Sequence, residues 1–137
     1  MKLLIDTWGW LALEDSKDSS HQAVSRTYAE AVRTSGNVFT TNFVLDETIS
    51  LLFRRRPFEE VARFTKGLLT SPFIGIEEIT EARFRRAFDL RLAFRDKPDI
   101  SFTDLTTMIV AQELKVIDIL TGDKHFTQAG LGFRLLP

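Results

Sequence analysis

Four carboxylates, Asp6, Glu47, Asp104 and Asp123, are the side chains of this sequence whose types and positions point to chemistry. Asp6 closes the apolar run Leu3-Leu4-Ile5, and Asp123 follows the run Ile117 to Leu120 after Thr121-Gly122. Glu47 and Asp104 fall near the starts of segments with helical spacing. In a parallel α/β sheet, the carboxyl ends of the strands and the starts of the following helices lie along one edge, where such folds form their ligand crevice. The four acids can therefore meet in one pocket. Carboxylates that converge in a low-dielectric crevice repel one another and bind protons more tightly unless a cation neutralises them. A donor set of oxygens alone favours Mg²⁺ or Mn²⁺ over zinc or copper.

Each acid also has a bland reading. Asp6 and Asp123 can be solvated loop residues or helix caps. Glu47 belongs to a polar ridge of Asp46, Glu47, Ser50 and Arg54, although Phe43 and Leu51 flank it on an otherwise apolar helix. Ser101-Phe102-Thr103-Asp104 resembles a capping box with the acid at its third helical position. Asp104 nevertheless shares a helical face with Met108 and Ala111, which points it inward.

The elements that must position these acids are legible in order. Leu3–Ile5 reads as a strand covered on both faces, because it needs no polar alternation. Thr7 can cap a short helix through Leu13, and His21 to Thr34 carries apolar residues near helical spacing until Ser35-Gly36-Asn37 stops it. Val38 to Thr41 is a second strand, leading into Asn42 as the cap of a helix over Phe43 to Arg54 that is packed on several sides. Pro57 suits the first turn of the next helix, with Glu59 and Glu60 near its positive end and Val61, Phe64 and Leu68 on one face. Phe73 to Ile76 is a third strand. Thr80 caps a helix that carries Phe84, Ala87, Phe88 and Leu92 inward and an arginine strip outward. Ser101 or Thr103 caps a helix to Leu114, Ile117 to Leu120 is a strand, Lys124 to Gln128 is a helical turn, and Phe133 to Leu136 is the last extended run. Strands alternating with helices predict an α/β, three-layer fold with a mainly parallel central sheet flanked by helices.

Composition narrows the classes. At 137 residues, 44% hydrophobic and 27% charged, the chain suits one globular domain over 1–137 with a single substantial core. Eighteen basic residues against 19 acidic ones create no global field for nucleic acid, so any such contact must be local. Arg54-Arg55-Arg56 and the strip from Arg83 to Arg95, Arg86 included, are candidate phosphate contacts, with solvated helix faces as the competing reading. The absence of cysteine excludes disulfides and thiolate metal sites. Two histidines cannot form a histidine-rich zinc site. His125 can position a substrate, with a partly exposed loop histidine without a role as the favoured reading, and a two-histidine ribonuclease of His21 and His125 is disfavoured because His21 falls on a peripheral helix. No long apolar segment resembles a membrane span, and Asp6 interrupts the only signal-peptide core, so an unexported, cytoplasmic protein is expected. Phe53, Phe58 and Phe64, among 12 phenylalanines, can leave an apolar surface for a second subunit or a partner helix.

Four stretches in order resemble one family, the PIN-domain ribonucleases, and within it the VapC-type toxins of toxin–antitoxin modules. They are Leu4-Ile5-Asp6-Thr7, Thr40-Thr41-Asn42-Phe43-Val44-Leu45-Asp46-Glu47, Ser101-Phe102-Thr103-Asp104 and Leu120-Thr121-Gly122-Asp123-Lys124-His125-Phe126. Gly130-Leu131-Gly132-Phe133 and the short run after it also fit. Gly122 departs from the pattern, standing where a larger residue is common. The resemblance implies a PIN-like fold, coordination of one or two Mg²⁺ or Mn²⁺ ions by Asp6, Glu47, Asp104 and Asp123, and endonucleolytic cleavage of RNA. Thr7 and Thr121 would support the ligands by hydrogen bonds. It further implies a homodimer and a separately encoded antitoxin protein. Two competing readings are a PIN-like binding or assembly module without catalysis and a phospho-acceptor or phosphatase built on Asp6. The second is disfavoured because Asp6-Thr7-Trp8 has no second aspartate two residues on.

Overall fold

The computed structural model describes residues 1–33 and 36–137. Five strands form its sheet: β1 (Leu3–Ile5), β2 (Val38–Thr41), β3 (Ile74–Glu77), β4 (Asp118–Leu120) and β5 (Arg134–Leu136). Seven helices surround it: α1 (Thr7–Glu14), α2 (His21–Ala31), α3 (Asn42–Arg55), α4 (Phe58–Thr70), α5 (Glu81–Ala93), α6 (Phe102–Leu114) and α7 (His125–Gln128). The strand order is β3-β2-β1-β4-β5, and every neighbouring pair is parallel. The carboxyl ends of all five strands therefore share one edge.

β1 occupies the centre, with Leu3 opposite Val38 and Asp118, and Ile5 opposite Leu120. Its alternation divides the core in two. Leu4 packs with Ile100, Leu105, Met108 and Phe126 beneath α5, α6 and α7. Leu3 and Ile5 face the other way, toward Trp10, Val24, Val44 and Leu68 of α1 to α4. This is the expected three-layer arrangement, and it explains why β1 tolerates no polar residue before Asp6. Gly9 is required where α1 crosses the sheet, because a Cβ there would lie 2.6 Å from the Leu120 carbonyl and 2.8 Å from Ile5 Cγ2.

Local chemistry shifts several element starts. Asp6 itself caps α1, accepting from the Gly9 N–H at 3.0 Å, so Thr7 is its first helical residue. Thr41 caps α3, and Asn42 is freed to accept the Ile79 N–H at 2.7 Å, tying α3 to the chain after β3. Ser101 caps α6. α3 touches α1, α4, α6 and β2, as an apolar helix at a junction must. The expected end of α2, at Thr34 and Ser35, lies outside the described residues.

α5 corrects the sequence reading. Only Ala87 of the four residues expected inward is buried, while Phe84, Phe88 and Leu92 are 46%, 51% and 53% exposed. The helix instead presents the stripe Arg83, Ala87, Leu90, Arg91 and Phe94 inward. Ala87 lets α5 approach α6 closely, and the two guanidinium groups find fixed acceptors there. Arg83 pairs with Glu77 at 3.0 Å and Glu113 at 2.9 Å, and Arg91 donates to the carbonyls of Phe94, Lys97 and Ile100. Those contacts, with Phe84 packed against Phe43 and Phe102, hold the orientation of α5.

Candidate metal centre

Asp6 leaves β1 at the carboxyl edge, 4% exposed, and is held from two sides. One oxygen accepts the Gly9 N–H, and the other accepts the Thr121 hydroxyl at 2.6 Å. Thr121, which follows β4, in turn accepts the Asp123 N–H at 2.9 Å. Asp123 Oδ1 accepts the His125 N–H at 2.9 Å and lies 3.1 Å from His125 Nδ1. The same ring nitrogen lies 3.3 Å from Asp104 Oδ2, which α6 projects from its first turn. Ligand atoms of Asp104, Asp123 and His125 all fall within 4.8 Å of one another. One connected network thus links the ends of β1 and β4 to the starts of α1, α6 and α7.

The electrostatics are those of a cation site. Burial pushes the Asp6 carboxyl up to about 7, with Asp104 and Asp123 adding to the rise against the two hydrogen bonds. Burial and then the charge of Asp123 push Asp104 up to about 6, opposed by His125. Carboxylates held this close, in a site this dry, gain most from a positive charge placed among them. The Thr7 hydroxyl, one residue beyond Asp6, is buried without a hydrogen-bond partner. Clustered carboxylate oxygens of this kind fit a divalent cation in their chemistry.

The structure brings Asp6, Asp104 and Asp123 together and adds His125, for which a loop residue without a role is the favoured sequence reading and substrate positioning the alternative. The missed signal was its spacing, two residues after Asp123 on the same turn. Glu47 is exposed on α3, where it lines a depression with Asp46, Arg54 and Thr103, the neighbour of Asp104. Asp6, Asp104 and Asp123 are not among the residues that line this depression. Arg54 shares that depression, and Arg55 flanks Trp8 on the α1 side. Arg86 is different. It pairs with Glu113 at 3.1 Å, toward the far end of α6 from Asp104, roughly 13 Å along the helix axis. Its place in the arginine strip therefore does not make it a contact beside the acids. Gly122 has a local explanation: a Cβ there would lie 2.4 Å from the Trp8 ring, which fills the place of the larger side chain.

A larger cavity, about 630 Å³, lies elsewhere, lined by Trp10, Tyr28, Phe64 and Ile74 of α1, α2, α4 and β3. Volume favours that groove as a ligand site, but its lining lacks the converging acids. Among the described residues no helix is long and apolar enough to cross a membrane.

Comparison with known proteins agrees with this geometry. The chain is 29% identical over 134 residues to the VapC ribonuclease of Archaeoglobus fulgidus, covering 96% of this chain and 83% of that protein. It is 28% identical over 128 residues to the 23S rRNA-specific endonuclease VapC20 of Mycobacterium tuberculosis, covering 93% and 94% of the two. The crystal structure of VapC20, a sarcin-ricin loop cleaving toxin, superposes with a TM-score of 0.83 at 27% identity over 97% of this chain and 99% of the other. With the PIN-domain profile matching residues 3–131, the chain belongs to the PIN-domain family.

Proposed function

We propose that the chain is a divalent-metal-dependent endoribonuclease, the toxin of a toxin–antitoxin pair, with Asp6, Asp104 and Asp123 as its principal metal ligands. The observation that carries this reading is the convergence of those three carboxylates at the sheet's carboxyl edge, where two of them hold protons far more tightly than a solvated aspartate. Glu47, which lines its depression with Thr103, completes the ligand set, and Mg²⁺ or Mn²⁺ is the cation. When bound, such an ion makes water a stronger nucleophile at neutral pH and offsets charge that builds on a phosphodiester in hydrolysis.

The chain's own groups do the rest. Gly9 N–H and Thr121 hydroxyl fix both oxygens of Asp6, so its carboxylate cannot turn away from the site. Asp104 and Asp123 together hold His125 Nδ1, leaving Nε2 for a phosphate oxygen of the substrate. Arg54 and Arg55 supply exposed positive charge along the approach, as sequence-independent phosphate contacts require. RNA as substrate follows the VapC ribonuclease and VapC20 relatives. An antitoxin partner follows the same relatives, and the exposed Phe84, Phe88 and Leu92 suit a homodimer. The matched family profile spans nearly all of 1–137, in keeping with one PIN-like domain.

The test is cleavage of a structured RNA by the purified chain. EDTA should stop it, Mg²⁺ or Mn²⁺ should restore it, and Asp104→Asn should lower it by about a hundredfold or more with the circular dichroism of the folded chain kept, since even partners of metal ligands cost up to that much. Metal-independent cleavage, or full activity in Asp104→Asn, overturns the reading.

A further inference from the structure

α1, the turn after it and the end of α3 border a smaller cavity of about 380 Å³, within the size range of small-molecule sites. Trp8, Leu11 and Leu52 give it an apolar wall, Asp15 and Asp18 stand on one side, and Arg55 on the other. Trp8 is two residues from Asp6, and its indole lies against Gly122, the residue before Asp123. The ring is half-buried, so one part packs and another faces the cavity. Its neighbour Trp10 is 1% exposed, with Nε1 donating to Thr40 at 3.0 Å, and is fully used by the core. Arg56 is also used, paired with Glu14 at 3.2 Å and Glu60 at 2.9 Å. Arg55 has no ion pair among the described residues.

We propose that this cavity is a nucleobase subsite: Trp8 stacks the base next to the cut, and Arg55 holds the adjoining phosphate. Asp15 and Asp18 each spend one oxygen on a backbone N–H, of Lys17 and Ser20, and keep the other as an acceptor. Carboxylate acceptors select the bases that offer an exocyclic amino group, guanine, adenine and cytosine, over uracil. Gly122 belongs to the device, because any side chain there would displace the ring from the acids' edge. The proposal deepens the ribonuclease reading and rests on it.

The experiment compares the wild-type chain with Trp8→Leu and Trp8→Phe, each first matched for circular dichroism and melting. Cut sites are mapped on an RNA pool of randomised sequence with Mn²⁺, and KM and kcat are measured on one oligonucleotide. A base–aromatic stack supports an effect of roughly tenfold. Trp8→Leu should raise KM by about that factor and flatten the base preference beside the cut. Trp8→Phe, which keeps a π face, should recover most of both, with kcat within about twofold throughout. In parallel, GMP, AMP, CMP and UMP are titrated against the wild type in EDTA while the exposed tryptophan's fluorescence is followed, with UMP expected to quench least. An unchanged KM and cut pattern in Trp8→Leu overturns the subsite. If the wild type cuts no RNA at all, the ribonuclease reading fails, and the titration still decides the subsite: quenching by the amino-bearing nucleotides supports it, and no quenching by any overturns it. The same titration decides if Trp8→Leu does not fold.

Discussion

Replacing Asp6 by Asn should make the metal-free protein more stable at neutral pH, although it removes a ligand. Asp6 is held up to about 7 from an ordinary 3.8, a rise of about 3 units. At 1.36 kcal/mol per unit, that corresponds to about 4 kcal/mol. The sign follows from proton uptake. Between pH 4 and 7 the folded state binds the Asp6 proton more tightly than the unfolded chain, so stability falls as pH rises and is lowest above 7. Asn keeps the acceptor that caps Gly9 but gives the Thr121 hydroxyl no carboxylate, at a cost of about 1 kcal/mol. The two stability curves should therefore cross between pH 4 and 5, and the variant should end about 3 kcal/mol more stable at pH 8. Urea unfolding in EDTA across pH 4 to 8 measures this directly. Asp104, held up to about 6, leaves a smaller slope in both proteins. Mn²⁺ at about 1,000 times its Kd should reverse the order, because it adds about 4.1 kcal/mol to the protein that binds it, more than the variant's advantage. Parallel pH profiles, or a variant less stable than wild type at pH 8 in EDTA, would refute the electrostatic account of the site.

Two further perturbations test what the geometry leaves to the surface. Glu47→Gln should weaken Mn²⁺ binding by about tenfold by calorimetry while leaving urea stability within about 0.5 kcal/mol, since Glu47 is exposed; unchanged affinity removes it from the ligand set. Phe88→Ser combined with Leu92→Ser should convert the chain from dimer to monomer in sedimentation, with little change in melting of the separated subunit. A dimer that persists places the interface elsewhere.

Much of this architecture was readable before any coordinates because its signals are local. An apolar run ending in an acid, followed by helical spacing, marks β1 and β4, and the parallel topology then carries both acids to the same edge. Asp104 was readable from its position on α6, since the face it shares with Met108 and Ala111 turns inward. What escaped depends on contacts distant in sequence. α5 looked amphipathic about its phenylalanines, yet Arg83 finds acceptors on β3 and α6, and that helps decide which face turns in. His125 gains a place only because α6 delivers Asp104 to it from 21 residues earlier. Asp118 was passed over inside an apolar run, and its buried carboxylate is satisfied by Arg134 at 2.6 and 2.9 Å across β4 and β5. Gly122 looked like a departure until Trp8 accounted for the space.

The pairing of Asp118 with Arg134 also bears on how the sheet ends. A parallel sheet with two free edges offers rows of unpaired backbone groups on which another chain can continue the ladder. Here β5, only three residues long, exposes Arg134 at one edge, and β3 at the other carries Glu77 clasped to Arg83. Charge on a short edge strand is among the commonest protections against edge-to-edge aggregation. A pair that looks like a fastening for the last strand therefore also acts as a stop, keeping the sheet at five strands when the protein is made at high concentration.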